Sequence, residues 1–119
     1  MVSWIKDKNA LVKLTQRLAN KKTLFLDTEF MRSHTFYPKL ALIQIFNGEH
    51  CWLIDAPSIN DLTPLKRLLE NPKCTLVLHA CAEDLEVLRY SAQIFPNCIF
   101  DTQIAARITN IGYSTSYAG

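Results

Sequence analysis

Several features are missing from this 119-residue chain, and each absence removes a class of reading. No stretch approaches the ~20 consecutive apolar residues of a membrane span, and the opening MVSWIKDKNA lacks the apolar run of a signal peptide. A soluble, cytoplasmic protein with no membrane partner is expected. A large charge of one sign is missing too: thirteen Lys and Arg against eleven Asp and Glu leave +2, so composition alone makes no strong case for a polyanionic partner. Any nucleic-acid site has to be argued locally. Cys51, Cys74, Cys81 and Cys98 form no CxxC pair and sit in apolar contexts, so they read as small buried residues rather than disulfides or zinc ligands. There is no internal repeat or low-complexity linker, and a chain that is 49% hydrophobic suits one globular domain, or part of one, around a single core.

What is present reads as alternating strands and helices. From Asp7 to Asn20, Leu11, Leu14 and Leu18 recur at helical spacing with lysines and Arg17 between them, which predicts an amphipathic surface helix. TLFLDTEF follows as an apolar strand, then LALIQIF and HCWLIDA as two more, joined by NGE, whose Asn-Gly is a strong hairpin signal. LTPLKRLLENP predicts a short helix closed by Pro72, CTLVLHA a buried strand and AEDLEVLRYSAQ a helix; CIFD and TQIAARI repeat the strand-then-helix order. The expected fold class is α/β, a mixed sheet with helices on its faces.

Two places put carboxylates where a core is expected. In the strand LFLDTEF, Asp27 and Glu29 are two residues apart and project on one side, while Leu26, Thr28 and Phe30 take the other. Like charges this close repel, so the pair is costly without a cation between them, and a divalent metal is the economical explanation. The competing reading is that the strand has ended by Asp27 and both acids are solvated loop residues. In HACAEDLEVL, Asp84, Val87, Leu88 and Ser91 share a helical face at i, i+3, i+4 and i+7, whereas Glu83, Glu86 and Tyr90 lie on another. Asp84 is therefore the acid turned inward, unless all three acids merely favour the positive end of the helix. A strand with DxE and a later helix with an inward Asp can meet at one sheet edge, as oxygen-rich Mg²⁺ or Mn²⁺ sites require. Two such ions activate a water and stabilise a leaving oxygen in phosphodiester hydrolysis.

FLDTEFMRSHTFYPKLALIQIFNGEHCWLIDA, LHACAEDLEVL and FDTQIAARI, running in order from about residue 20 to the end, resemble ribonuclease D, a group of the DEDD superfamily of 3′–5′ exonucleases with a ribonuclease-H-like fold. The resemblance implies Asp27 and Glu29 as the first two metal-binding acids and Asp84, in the HxxxxD element, as the third. It implies that Glu29 also orients the attacking water, and that Phe30, His79, Val87 and Leu88 lie near the terminal nucleotide. It further implies two divalent ions, Mg²⁺ or Mn²⁺, an RNA 3′ end as substrate with tRNA precursors among the RNAs processed, and nucleoside 5′-monophosphates as products. The group's fourth acid lies in a later YxxxD element, yet no Asp or Glu follows Asp101, and neither Tyr113 nor Tyr117 has such an acid after it. Asp101, where a strand gives way to a helix, reads as a helix cap. The ending NIGYSTSYAG resembles the point just before that element. Residues 1–119 are thus expected to form one partial exonuclease domain with no second domain, truncated before the last catalytic helix, weakly active alone and prone to self-association through exposed apolar surface.

Other signals point less far. His79 and Cys81 form a possible thiol and base pair, but no motif supplies an orienting group or oxyanion loop. Arg32, His34, Tyr37 and Lys39 are either an RNA-contacting stretch or a plain solvated loop. His34 and His50 read as surface residues near turns, and Gln44 as a residue satisfying a buried hydrogen bond. Two alternatives stand beside the exoribonuclease reading: a DNA-proofreading exonuclease with the same acid pattern, and a catalytically silent nucleic-acid-binding or interaction module.

Overall fold

The computed structural model describes residues 2–31 and 39–104. Along the chain run β1 (Val2–Ile5), α1 (Lys8–Leu18), β2 (Thr23–Met31), β3 (Lys39–Phe46), β4 (Cys51–Asp55), α2 (Thr63–Leu69), β5 (Thr75–Leu78), α3 (Ala82–Ala92) and β6 (Ile99–Asp101). The strands form one mixed sheet in the order β1-β4-β3-β2-β5-β6, in which β3 runs against the others. The expected helices and strands are there through CIFD, the helix expected over TQIAARI runs beyond the described residues, and β1 is an addition. Four residues with only Ile5 buried carry no readable period, so β1 owes its form to pairing with β4.

Local chemistry accounts for the element ends. Asp7 accepts the N–H of Ala10 at 2.8 Å and starts α1, a cap commonly worth about 1 kcal/mol. At the hairpin, Gly48 takes φ +103, which a side chain would resist, and Asn47 Oδ1 accepts the N–H groups of Glu49 and His50. Gln93 ends α3 in a left-handed conformation, with the Ile94 N–H returning to the Leu88 carbonyl.

Helices α1, α2 and α3 each link a strand to a parallel strand farther along the sheet in the same direction. Right-handed crossovers made in one direction put all three helices on one face, and the exposure pattern agrees. Leu24, Leu26, Ile43, Ile45, Trp52, Ile54, Leu76 and Leu78 are buried with Leu11, Leu14, Leu18, Leu65, Leu68, Val87 and Leu88 in one core. Each such side chain contributes about 1.5–3 kcal/mol of transfer free energy. On the opposite face the register aligns Val2, Cys51, Phe46, Phe25, Val77 and Phe100 in a row across all six strands. Val2, Phe25, Phe46 and Phe100 are exposed there.

In the parallel strands the carboxyl ends share one edge. Pairing between β2 and β5 stops at Phe25, but β2 continues to Met31 against β3 alone. The last two-thirds of β2 therefore have an unpaired side, and α3, which follows β5, begins beside it. No helix among the described residues is long and apolar enough to cross a membrane.

Candidate active site

Along β2, exposed Asp27 and Glu29 alternate with buried Leu26 and Thr28 and half-buried Phe30. The strand thus continues through both acids, against the loop reading. The register places Asp27 opposite Gln44 and Glu29 opposite Leu42, and a bulge follows Glu29. The bulge makes Ala41 an extra residue in β3, so Leu40 and Ile43 both reach the core despite odd spacing. Gln44 differs from expectation: it is half-buried on the open face opposite Asp27, because its strand position has the parity of the acids.

Helix α3 turns Asp84, Val87 and Leu88 to the sheet, and Ser91 Oγ accepts the N–H of Leu40 at 2.9 Å. The predicted stripe is the packed one. Thr28 and Asp84 are the buried polar residues among those described, and they bond to each other. Asp84 Oδ1 accepts from both the Thr28 hydroxyl and the Thr28 N–H, the latter at 3.2 Å. The same N–H also reaches Asp27 Oδ1 at 3.0 Å. A backbone N–H lies in the plane of its sheet, so Asp84 approaches it from the helical side and Asp27 from the open side. They meet where β5 no longer occupies the edge.

Burial pushes the Asp84 carboxyl up from the usual carboxylate range, the Thr28 hydroxyl pulls it back, and the charge of Asp27 pushes it up again. As the side chains stand, no three His, Cys, Asp or Glu among the described residues form a group able to hold an ion. Asp27 and Asp84 nevertheless supply closely spaced hard oxygen donors, and exposed Glu29 offers a third from the same strand. Such donors suit Mg²⁺ or Mn²⁺.

The other expected positions divide. His79 is exposed, its Nδ1 2.8 Å from Thr102 Oγ1, and Phe30 is half-buried against the core. Val87 and Leu88 have no exposed surface. Both pack α3 against the sheet. Cys81 does not fit the thiol reading: burial and the Asp101 carboxylate push its thiol up to about 11, the opposite of nucleophile activation. His50 is half-buried and stacked on Trp52, centroids 5.8 Å apart, rather than a surface residue. Cys74 is buried, Cys51, Cys81 and Cys98 are half-buried, and all four are free. Arg32, His34, Tyr37, Tyr113 and Tyr117 lie outside the described residues.

Thr28 escaped the sequence reading, although a signal existed: a polar residue at an inward strand position needs a buried partner. The reading of Asp101 as a cap is met, since its Oδ1 accepts the N–H of Gln103 at 2.8 Å, and it extends to another element. Asp101 also accepts the N–H groups of Ala80 at 3.0 Å and Cys81 at 2.9 Å.

A 3′–5′ exonuclease family matches residues 2–119. Ribonuclease D of Haemophilus influenzae is 43% identical over 114 residues, covering 96% of this chain and 29% of that protein. Ribonuclease D of Escherichia coli is 43% identical over 110 residues, covering 92% and 29% respectively. The crystal structure of Escherichia coli RNase D, described as an exoribonuclease involved in structured RNA processing, superposes with a TM-score of 0.84 at 42% identity, covering 96% of this chain and 30% of that one. Trypanosoma brucei RNase D in complex with RNA U12 shares the fold, with a TM-score of 0.76 at 16% identity over 89% of this chain and 39% of that one. The chain spans about three-tenths of the length of the ribonuclease D relatives it matches.

Proposed function

Because the chain belongs to the 3′–5′ exonuclease family, we propose that it carries the first acids of an exoribonuclease of the ribonuclease D type, acting on RNA 3′ ends, tRNA precursors included. The observation that carries this reading is the meeting of Asp27 and Asp84 on the Thr28 N–H at the carboxyl edge of the strands, where ligands of open α/β sheets bind. Asp27, Glu29 and Asp84 would hold Mg²⁺ or Mn²⁺, which when bound supplies Lewis-acid activation of water and stabilisation of the leaving oxygen. The P–O3′ bond to the terminal residue breaks as water adds to phosphorus, leaving a new 3′-hydroxyl and a nucleoside 5′-monophosphate.

The chain's own residues perform definite tasks in this scheme. Thr28 holds Asp84 in one orientation through two donors. Burial of Asp84 raises its appetite for a cation, because an ion would replace lost solvation. Phe30 and exposed His79 offer an apolar surface and a polar group for the terminal nucleotide.

The test is digestion of 5′-labelled single-stranded RNA with Mg²⁺ or Mn²⁺, comparing the chain with Asp27→Asn and Asp84→Asn. Stepwise 3′ shortening with mononucleotide release, abolished in both variants, is the expected result. RNA binding without any metal-dependent shortening would favour a silent binding module, and preferential trimming of DNA would favour a proofreading-type enzyme.

A further inference from the structure

The turn that delivers Asp84 is not one its own residues hold. Ala80 takes φ +55, a left-handed conformation that costs a non-glycine residue about 1–2 kcal/mol. Cys81, at the N-cap of α3, makes no side-chain capping bond, although the first N–H groups of a helix need acceptors. An acceptor for the first of them, and one for the residue before it, come from the next strand. Asp101, ending β6, takes the N–H of Ala80 on Oδ1 and that of Cys81 on Oδ2. Thr102 Oγ1 lies 3.3 Å from the Leu78 carbonyl oxygen and 2.8 Å from His79 Nδ1. Together Asp101 and Thr102 grip all four residues from Leu78 to Cys81.

This grip bears on the candidate site because α3 begins at Ala82 and Asp84 lies in its first turn. Displacing the turn displaces the carboxylate that bonds Thr28. We propose that Asp101 is a positioning residue for Asp84: it holds the left-handed turn before α3 from a neighbouring strand and so sets where the Asp84 carboxylate meets Asp27. The inference rests on the reading of Asp84 as a metal ligand. Asp101 itself needs no contact with an ion. Its oxygens are engaged by backbone N–H groups of the turn and of its own succeeding residues.

Mn²⁺ alone is the probe, titrated into the full chain and followed by the paramagnetic resonance signal of the free ion. Asp101→Ala should weaken binding by about 10-fold or more, the size expected when a partner that orients metal ligands is lost. Asp101→Glu, which keeps the charge and acceptors on a longer arm, should recover part of the loss. Asp61→Asn is the control. Asp61 accepts the N–H of Thr63 at the start of α2, so its loss should lower thermal stability while leaving Mn²⁺ affinity unchanged. Asp84→Asn reports on the underlying reading. If it binds Mn²⁺ like the unmodified chain, the metal-ligand reading falls, and this inference with it. If it fails to bind while Asp101→Ala and Asp101→Glu both bind normally, the positioning role alone is overturned. Should Asp101→Ala be unfolded by circular dichroism, the Asp101→Glu titration decides: unchanged affinity overturns the role, and an intermediate loss supports it.

Discussion

Asp27 and Asp84 each place a carboxylate oxygen on the N–H of Thr28, at 3.0 and 3.2 Å. One acid comes from a strand and the other from a helix. Their encounter is possible because β2 outruns β5 and leaves that N–H without a strand partner. Two carboxylates on one donor repel, and a cation between them would relieve that repulsion.

Removing one charge should therefore relieve the metal-free fold. Burial raises the Asp84 carboxyl, and Asp27 adds to the rise, so the folded state binds the Asp84 proton more tightly than the unfolded state does. The stability attached to that proton is present at low pH and declines as pH climbs from the ordinary carboxylate range, near 4, through the raised value. Asp84→Asn keeps an oxygen acceptor for Thr28. At pH 7 it should melt at the same temperature as the unmodified chain or a few degrees higher, and Mn²⁺ should no longer stabilise it. A clear fall in the metal-free Tm would assign Asp84 a structural role instead.

Thr28→Val removes the hydroxyl donor while preserving shape. Losing a bond to a buried charged acceptor should cost about 1–3 kcal/mol, and Thr28→Ser should restore most of it. In a double-mutant cycle with Asp84→Asn the penalty should shrink, since a neutral amide suffers less from the lost donor. Additive effects in chemical denaturation would show that the Thr28–Asp84 bond contributes no coupling.

Acid should act oppositely on Asp61, Glu70 and Asp101. Thr63 holds the carboxyl of Asp61 well below its usual range, Lys66 lowers that of Glu70, and the Cys81 N–H holds that of Asp101 well below. For groups with depressed folded values, the stabilisation is complete above the unfolded value, about 4, and is lost as pH falls through the folded one. Circular dichroism melts should show Tm dropping below pH 4, more shallowly in Asp101→Asn. The same pH slope in variant and parent would remove Asp101 from this account.

Cys81, with its thiol pushed up to about 11, should be almost wholly protonated at pH 8. Iodoacetamide should modify it more slowly than an ordinary cysteine. Cys81→Ser should leave RNA shortening unchanged. A variant without activity would reinstate the thiol in the chemistry.

Much of this molecule is written locally. Helical spacing of Leu11, Leu14 and Leu18, the Asn47–Gly48 turn, and alternation through LFLDTEF are properties of neighbouring residues, so helix, hairpin and the shared side of Asp27 and Glu29 could be read from the chain. The inward face of Asp84 was legible for the same reason, because 3.6-residue periodicity put it in line with Val87 and Leu88. Nothing local says that β1 pairs with β4, that a bulge in β3 brings both Leu40 and Ile43 inside, or that Gln44 shares the face of the acids. Nor does it say that Val87 and Leu88 are wholly buried, that Thr28 joins the two acids, or that Asp101 braces the turn before α3. Those follow from where one strand ends beside another, and strand ends are set by pairing between distant segments, whose free energy belongs to the assembled sheet rather than to any stretch of sequence.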